Sequence, residues 1–203
     1  MTEAVIVPSP DEAAAETERG FVEKAFGFWL YLMSDAVVFA LLFATYAAMS
    51  RNTAGGPTGH DLFKLPHSFA ETMLLLASSA TFGLASVAIG AGQRWRALAW
   101  LGLTFLLGLG FVAMEISEFR ALVAAGAGPQ RSGFLSVFFT LVGAHGLHVS
   151  IGLIWIALLG GEAALRGLNP YVVSRLYRLG LFWHFLDIVW IGIFSVVYLP
   201  GVL

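Results

Sequence analysis

The chain reads as an all-α integral membrane protein, a bundle of five transmembrane helices. Of its 203 residues, 58% are hydrophobic and only 12% are charged, a greasier balance than soluble domains carry. Its mean hydropathy is +0.81. The charges collect between five long apolar runs, each able to cross a hydrocarbon core about 30 Å thick, which takes roughly 20 helical residues. A helix satisfies its own backbone in lipid, and the alternation of a membrane barrel strand is absent from these runs.

Residues 1–24 form an acidic, alanine-rich tail with Glu3, Asp11, Glu12, Glu16 and Glu18. The tail lacks the basic start and short apolar core of a signal peptide and is expected to be a disordered cytoplasmic extension. Residues 25–203 are expected to form one domain, with spans at Ala25–Met49, Phe69–Gly92, Ala97–Phe119, Gly133–Gly161 and Leu179–Leu199. The segment Arg51–Pro66, with Gly55-Gly56-Pro57, and the segment Gly126-Ala127-Gly128-Pro129 read as exposed turns. Small residues at Ser79 and Gly83, Ser86 and Gly90, and Gly146 and Ser150 have the spacing that lets helix backbones approach in lipid.

Orientation follows from the basic residues. With the N-terminus cytoplasmic, the inner segments hold Arg19, Lys24, Arg94, Arg96, Arg166, Arg175 and Arg178, against Arg51, Lys64, Arg120 and Arg131 outside. That excess favours an outward, periplasmic C-terminus by the positive-inside rule. A net charge of −2 argues against a nucleic-acid partner. Arg175 and Arg178, just before the fifth span, suit anionic lipid headgroups. Trp29, Trp95, Trp100 and Trp155 include interfacial anchors.

The spans also carry ionisable groups. Glu115/Glu118, His145/His148 and His184/Asp187 are pairs three residues apart, and Asp35 stands alone in the first span. Such a pair shares one helix face. At the bilayer centre a charge costs about 2.5–3.5 kcal/mol on insertion scales, so these groups should face a protein interior or a wet cavity. Asp35, His148, His184 and Asp187 fall at a common depth and are expected to form a structural polar cluster that docks the helices. A proton relay is the competing reading, and it requires a ladder of polar groups reaching both surfaces. Glu115, Glu118 and the start-of-span Glu71 are expected near the outer interface, where charge costs less. His60 and His67 are placed in a loop as solvated residues.

Several chemistries are disfavoured. The chain has no cysteine, which leaves no thiolate copper centre, no iron–sulfur cluster and no covalently attached haem. His145 and His148 put two imidazoles on one helix face, a possible metal or haem site, but no glutamate stands between them as in hydrolytic zinc helices. No metal ligand set is assigned. A secondary transporter or proton channel would need broken helices or a polar path through both halves. An intramembrane hydrolase would need an activated nucleophile, and neither Ser34 nor Ser150 has that context.

Longer motifs carry a family resemblance. The run Phe182-Trp-His-Phe-Leu-Asp-Ile-Val-Trp190, continuing to Val197-Tyr198-Leu199, resembles the last helix of subunit III of haem–copper terminal oxidases. Phe139-Thr-Leu-Val-Gly-Ala-His-Gly-Leu-His-Val149, Leu76-Ala-Ser-Ser-Ala-Thr81 and Leu41-Leu-Phe-Ala-Thr-Tyr46 are similar to other segments of that subunit, in family order. Met33-Ser34-Asp35, Met114-Glu-Ile-Ser-Glu-Phe119 and Gly128-Pro-Gln-Arg-Ser-Gly-Phe-Leu135 look most like the ubiquinol oxidase branch. There Asp35 replaces the glutamate usual in cytochrome c oxidases. The resemblance implies a non-catalytic subunit of the bacterial cytoplasmic membrane that binds no haem or copper itself. It would flank the catalytic subunit I, which carries haem and copper, assemble with subunits II and IV, and hold phospholipid in a cleft between helix groups. A short-form cytochrome c oxidase is the alternative assembly.

Overall fold

The computed structural model describes residues 10–202. Helix α1 runs Pro10–Met49 and the one-turn α2 Gly59–Leu62. Helices α3 (Leu65–Gly90), α4 (Arg94–Ala124), α5 (Gly133–Arg166) and α6 (Pro170–Ile193) follow. A π-helical turn, Phe194–Tyr198, and the short α7, Leu199–Val202, complete the last span. Five of these stretches are long and apolar enough to cross a bilayer, as expected: Ala25–Met49, α3, α4, α5 and Pro170–Gly201.

The helix ends differ from the hydropathy-based bounds, and caps explain most of the difference. The second span begins at Leu65, not Phe69, with Pro66 in its first turn, where the missing N–H costs nothing. The last begins at Pro170, nine residues before the expected Leu179; the Asn169 side chain accepts the Val172 N–H at 2.9 Å. Ser132 caps α5 in the same way through the Leu135 N–H at 3.2 Å. Gly167, at φ +77°, ends α5, and Gly92, at φ +68°, turns the chain between α3 and α4.

The tail expected to be disordered is helical over its described part. Residues 1–9 lie outside the described residues, but from Pro10 the chain is helical and runs without a break into the first span. Alanine and glutamate are strong helix formers, and Pro10 opens the helix at a tolerated position.

Helix α6 is the hub, packing on α1, α3 and α5, while α3 pairs with α4 and α4 with α5. Half of the last span's apolar window is buried, against 11% for α1. Helix α1 lies on α5 and α6 through Leu32, Phe39 and Tyr46 and leaves Phe26, Trp29, Val37 and Leu41 exposed. The hub is built around two indoles one heptad apart. Trp183 lies against Gly108 of α4 and Gly152 of α5, where a Cβ would come within 2.9 Å of its ring. Its N–H donates to Ser78 Oγ of α3 at 3.1 Å. Trp190 donates to Thr72 Oγ1 at 3.1 Å and meets Phe111 edge-on at 4.6 Å. A buried indole needs such an N–H partner.

The small-residue steps need revision too. Nothing lies within 4 Å of a Cβ placed on Gly83, and Gly90 makes only an ordinary contact with Tyr177. Of the named steps Gly146 is a close approach, and Gly108, Gly152 and Gly180 join it. Gly180 makes room for the Phe82 ring, and Gly146 for the Glu115 carboxylate.

Candidate functional site

Two polar regions lie inside the bundle. The first is at mid-depth. The Nε2 of His148 on α5 stands 3.8 Å from Asp35 Oδ2 on α1, an ion-pair separation beyond direct hydrogen-bond reach. The other ring nitrogen, Nδ1, lies 2.7 Å from the Ala144 carbonyl one turn back. On α6, His184 Nδ1 is 4.0 Å from Asp187 Oδ2 and makes a 2.6 Å hydrogen bond with Ser79 Oγ of α3. The four residues expected to form one cluster thus form two pairs. One joins α1 to α5, the other lies within α6 and reaches α3 through Ser79, and aromatic rings stand beside both. Phe39 lies 5.3 Å from His148, and Phe82 lies 5.9 Å from His184. No hydrogen bond or ion pair joins the two pairs among the described residues.

The second region lies toward the end of the bundle that carries the 50–64 and 125–132 loops, called the loop end below. It brings together residues that the sequence reading placed at the interface or in a loop. Glu71 of α3 is fully buried and Glu115 of α4 is 4% exposed, so both are enclosed by protein. His67 sits in the first turns of α3, its Nε2 3.4 Å from Glu71 Oε1. Glu118, one turn after Glu115, accepts the Tyr198 hydroxyl at 2.8 Å. The π-helical turn at Phe194–Tyr198 leaves Val197 and Tyr198 both buried. The three carboxylates lie within electrostatic reach of one another. Polar groups are therefore present toward the loop end as well as at mid-depth.

Between the regions, His145 is fully buried with no hydrogen bond to either ring nitrogen. Its ring stacks on Trp190 at 5.2 Å and meets Phe111 edge-on at 5.8 Å. Its faces are filled by aromatic side chains.

Pro66 was the missed signal for His67. A proline in the first helical turn draws the helix back over residues 65–68, and places His67 one turn before Glu71 on the same face. No sequence signal identified Tyr198 as the partner of Glu118, because the bond spans 80 residues.

At the opposite end, Arg175 is not free. It donates to Glu162 Oε2 at 2.8 Å, and Arg166 approaches the same carboxylate at 3.5 Å. Arg178 bonds Ser174 at 2.8 Å and lines a cavity of about 490 Å³ with Ala25, Val173, Tyr177 and Leu181. His60 is exposed on α2.

The comparisons agree with the motif resemblance. Residues 13–202 match the family described as cytochrome c oxidase subunit III. The chain is 58% identical over 178 residues to the cytochrome bo(3) ubiquinol oxidase subunit 3 of Pseudomonas aeruginosa, covering 88% of this chain and 85% of that one. It is 47% identical to a cytochrome c oxidase subunit 3 of Bacillus sp. strain PS3, covering 88% and 86%. To the quinol oxidase subunit 3 of Bacillus subtilis it is 42% identical, covering 95% and 93%. With nearly the whole chain matched, and with five apolar helices of the length that a bilayer requires, this protein belongs to the subunit III family of the haem–copper oxidases.

Proposed function

We propose that the chain is the non-catalytic third subunit of a proton-pumping ubiquinol oxidase, and that its buried ionisable residues dock its helices. The assembled complex would oxidise ubiquinol, reduce oxygen to water and move protons outward, with haem and copper in subunit I. The observation that carries this reading is the 58% identity to a ubiquinol oxidase subunit across nearly all of both chains. The interior supports it. Two imidazoles within the spans are engaged through a ring nitrogen, His148 with the Ala144 carbonyl and His184 with Ser79, and His145 is packed between Trp190 and Phe111.

Each mid-depth pair bridges helices that the lipid alone would not hold together. In lipid, helix association rests on packing and interhelical hydrogen bonds. The pairs Asp35–His148 and His184–Ser79 supply polar contacts at the α1–α5 and α6–α3 seams. Helix α1 has the least buried surface and a long exposed apolar face, which suits a neighbouring subunit, with subunit I the chief candidate and subunits II and IV completing the assembly. The distribution of Lys and Arg supports a cytoplasmic N-terminus and a periplasmic C-terminus in the bacterial inner membrane. The apolar cavity beside Arg178 suits a phospholipid, with the acyl chain along Val173 and Leu181 and the phosphate near the guanidinium.

The relatives named as cytochrome c oxidase subunits support a second reading, in which the same subunit serves a short-form cytochrome c oxidase. One preparation tests both. The tagged chain is purified in mild detergent, its companions are identified, and the haem spectrum and turnover with ubiquinol and reduced cytochrome c are recorded. Ubiquinol turnover by a haem-bearing complex is expected. Turnover with cytochrome c alone would favour the second reading, and a chain that purifies without any haem subunit would overturn both.

A further inference from the structure

The loop-end cluster has the ingredients of a cation site. His67, Glu71 and Glu118 each offer one ligand atom, and the three atoms lie within 4.8 Å of one another. Glu71 is fully buried, and neither carboxylate oxygen has a hydrogen-bond partner. His67 Nε2, aimed at that carboxylate from 3.4 Å, has none either. Glu115 adds a third buried acid with an unpartnered Oε2. Buried acceptors without donors are costly, and neighbouring carboxylates cannot all stay charged unless a cation or protons lie among them.

The cluster is also reachable. A cavity of about 310 Å³ opens beside it, lined by Leu62, Lys64, His67, Ser117, Glu118 and Leu122. The Tyr198 hydroxyl binds Glu118 Oε2 and fixes the carboxylate's orientation. Lys64 at the mouth opposes a cation, but its exposed position leaves its charge in water.

We infer that His67, Glu71 and Glu118 form a binding site for a borderline divalent ion of the Zn²⁺ class, entered through the loop-end cavity and bridging α3 to α4. One imidazole with two carboxylates suits such an ion. Calcium takes six to eight oxygens at longer distances, which three ligands do not supply. Ligand atoms about 2.0–2.2 Å from a tetrahedral ion lie within about 3.5 Å of one another, so small rotations of His67 and Glu118 close the set. A fourth position would face the cavity and take water. The ion is redox-inert and takes no electron from the complex. It pins the start of α3 to the end of α4 and neutralises part of the buried acid cluster.

The test uses the whole complex, stripped with a chelator and dialysed against buffered micromolar Zn²⁺. Bound zinc is measured by elemental analysis, and thermal stability is recorded with and without the ion. His67→Phe, Glu118→Gln and wild type are compared, with Asp35→Asn as a control away from the site. Wild type and the control are expected to hold about one more equivalent of zinc than either site variant, and to gain a Zn²⁺-dependent rise in Tm that both variants lack. Should Glu118→Gln fail to assemble, His67→Phe decides, because His67 is partly exposed at a helix start and its replacement leaves the core intact. Equal zinc in wild type and His67→Phe at every free concentration would overturn the site and leave protons as the cluster's only counter-charge. Loss of zinc from Asp35→Asn as well would overturn it too, by placing the ion elsewhere.

Discussion

The mid-depth pairs and the loop-end cluster are built from the same residue types but on different plans. At mid-depth each acid is matched with one imidazole, at 3.8 Å for Asp35 with His148 and 4.0 Å for Asp187 with His184. Toward the loop end three glutamates share one histidine and one tyrosine, and Glu71 is left without a hydrogen bond. Paired groups in lipid behave as adhesive between two helices. A surplus of buried acid is relieved either by a bound cation or by protonation of the carboxylates. The first plan balances each acid with a base although Asp35 Oδ2 and both Asp187 oxygens lack a hydrogen bond, and the second has more acids than bases.

Substitutions separate the aromatic hub from the two polar regions that rest on it. Trp183→Ala should have the largest effect. It empties the space between Gly108 and Gly152 and removes the N–H donor to Ser78 Oγ, which keeps its own bond to the Leu75 carbonyl, at a cost of about 3–5 kcal/mol, the range for a buried aromatic truncated to alanine. The Tm of the purified complex reads it, and an unchanged Tm would show that the hub does not hold the spans together.

Gly146→Leu comes next. Its Cβ would fall on the Glu115 carboxylate, and overpacking of this kind costs about 1–3 kcal/mol. The complex should assemble in lower yield with a lower Tm. Normal yield would mean that Glu115 swings away freely, and that the α4–α5 approach is looser than its geometry.

Two hydrogen-bond deletions compare the regions directly. Tyr198→Phe removes the donor to Glu118, an acceptor in an acid-rich cluster, and should cost about 1–2 kcal/mol in a thermal or denaturant titration of the complex. Ser79→Ala removes the His184 partner at the α3–α6 seam and should cost about 0.6 kcal/mol, with 1.7 an upper bound for such bonds in lipid. The reverse order would mean that the mid-depth pair is the more stringent of the two.

The mid-depth residues could be read from the sequence because each helix announces its own polar face. Acids and imidazoles three apart in an apolar run must share a side, and every span expected from hydropathy is present. The loop-end cluster was hidden for two reasons. Hydropathy marks where a helix is greasy, not where it begins, so by hydropathy alone His67 falls in a loop and Glu71 at a span start, although Pro66 marks a helix start. The cluster is also assembled from α3, α4 and the end of the last span, so Glu71, Glu118 and Tyr198 are neighbours only after folding. The glycines tell the same story. Gly108, Gly152 and Gly180 matter because of Trp183 and Phe82 on other helices, which no spacing within one helix records.

Asp35→Asn offers the most direct test of the docking role. The variant keeps the shape of the side chain and removes the charge that faces His148 at 3.8 Å. The pair lacks a direct hydrogen bond, so the expected loss of stability is small, no more than the average of about 0.6 kcal/mol for polar contacts between helices in lipid. Initial ubiquinol turnover of the assembled complex should stay within about twofold of wild type, a barrier change of less than about 0.5 kcal/mol. A fall to a few per cent of wild-type turnover, with the haem spectrum and subunit composition intact, would contradict docking and identify Asp35 as a link in a proton path.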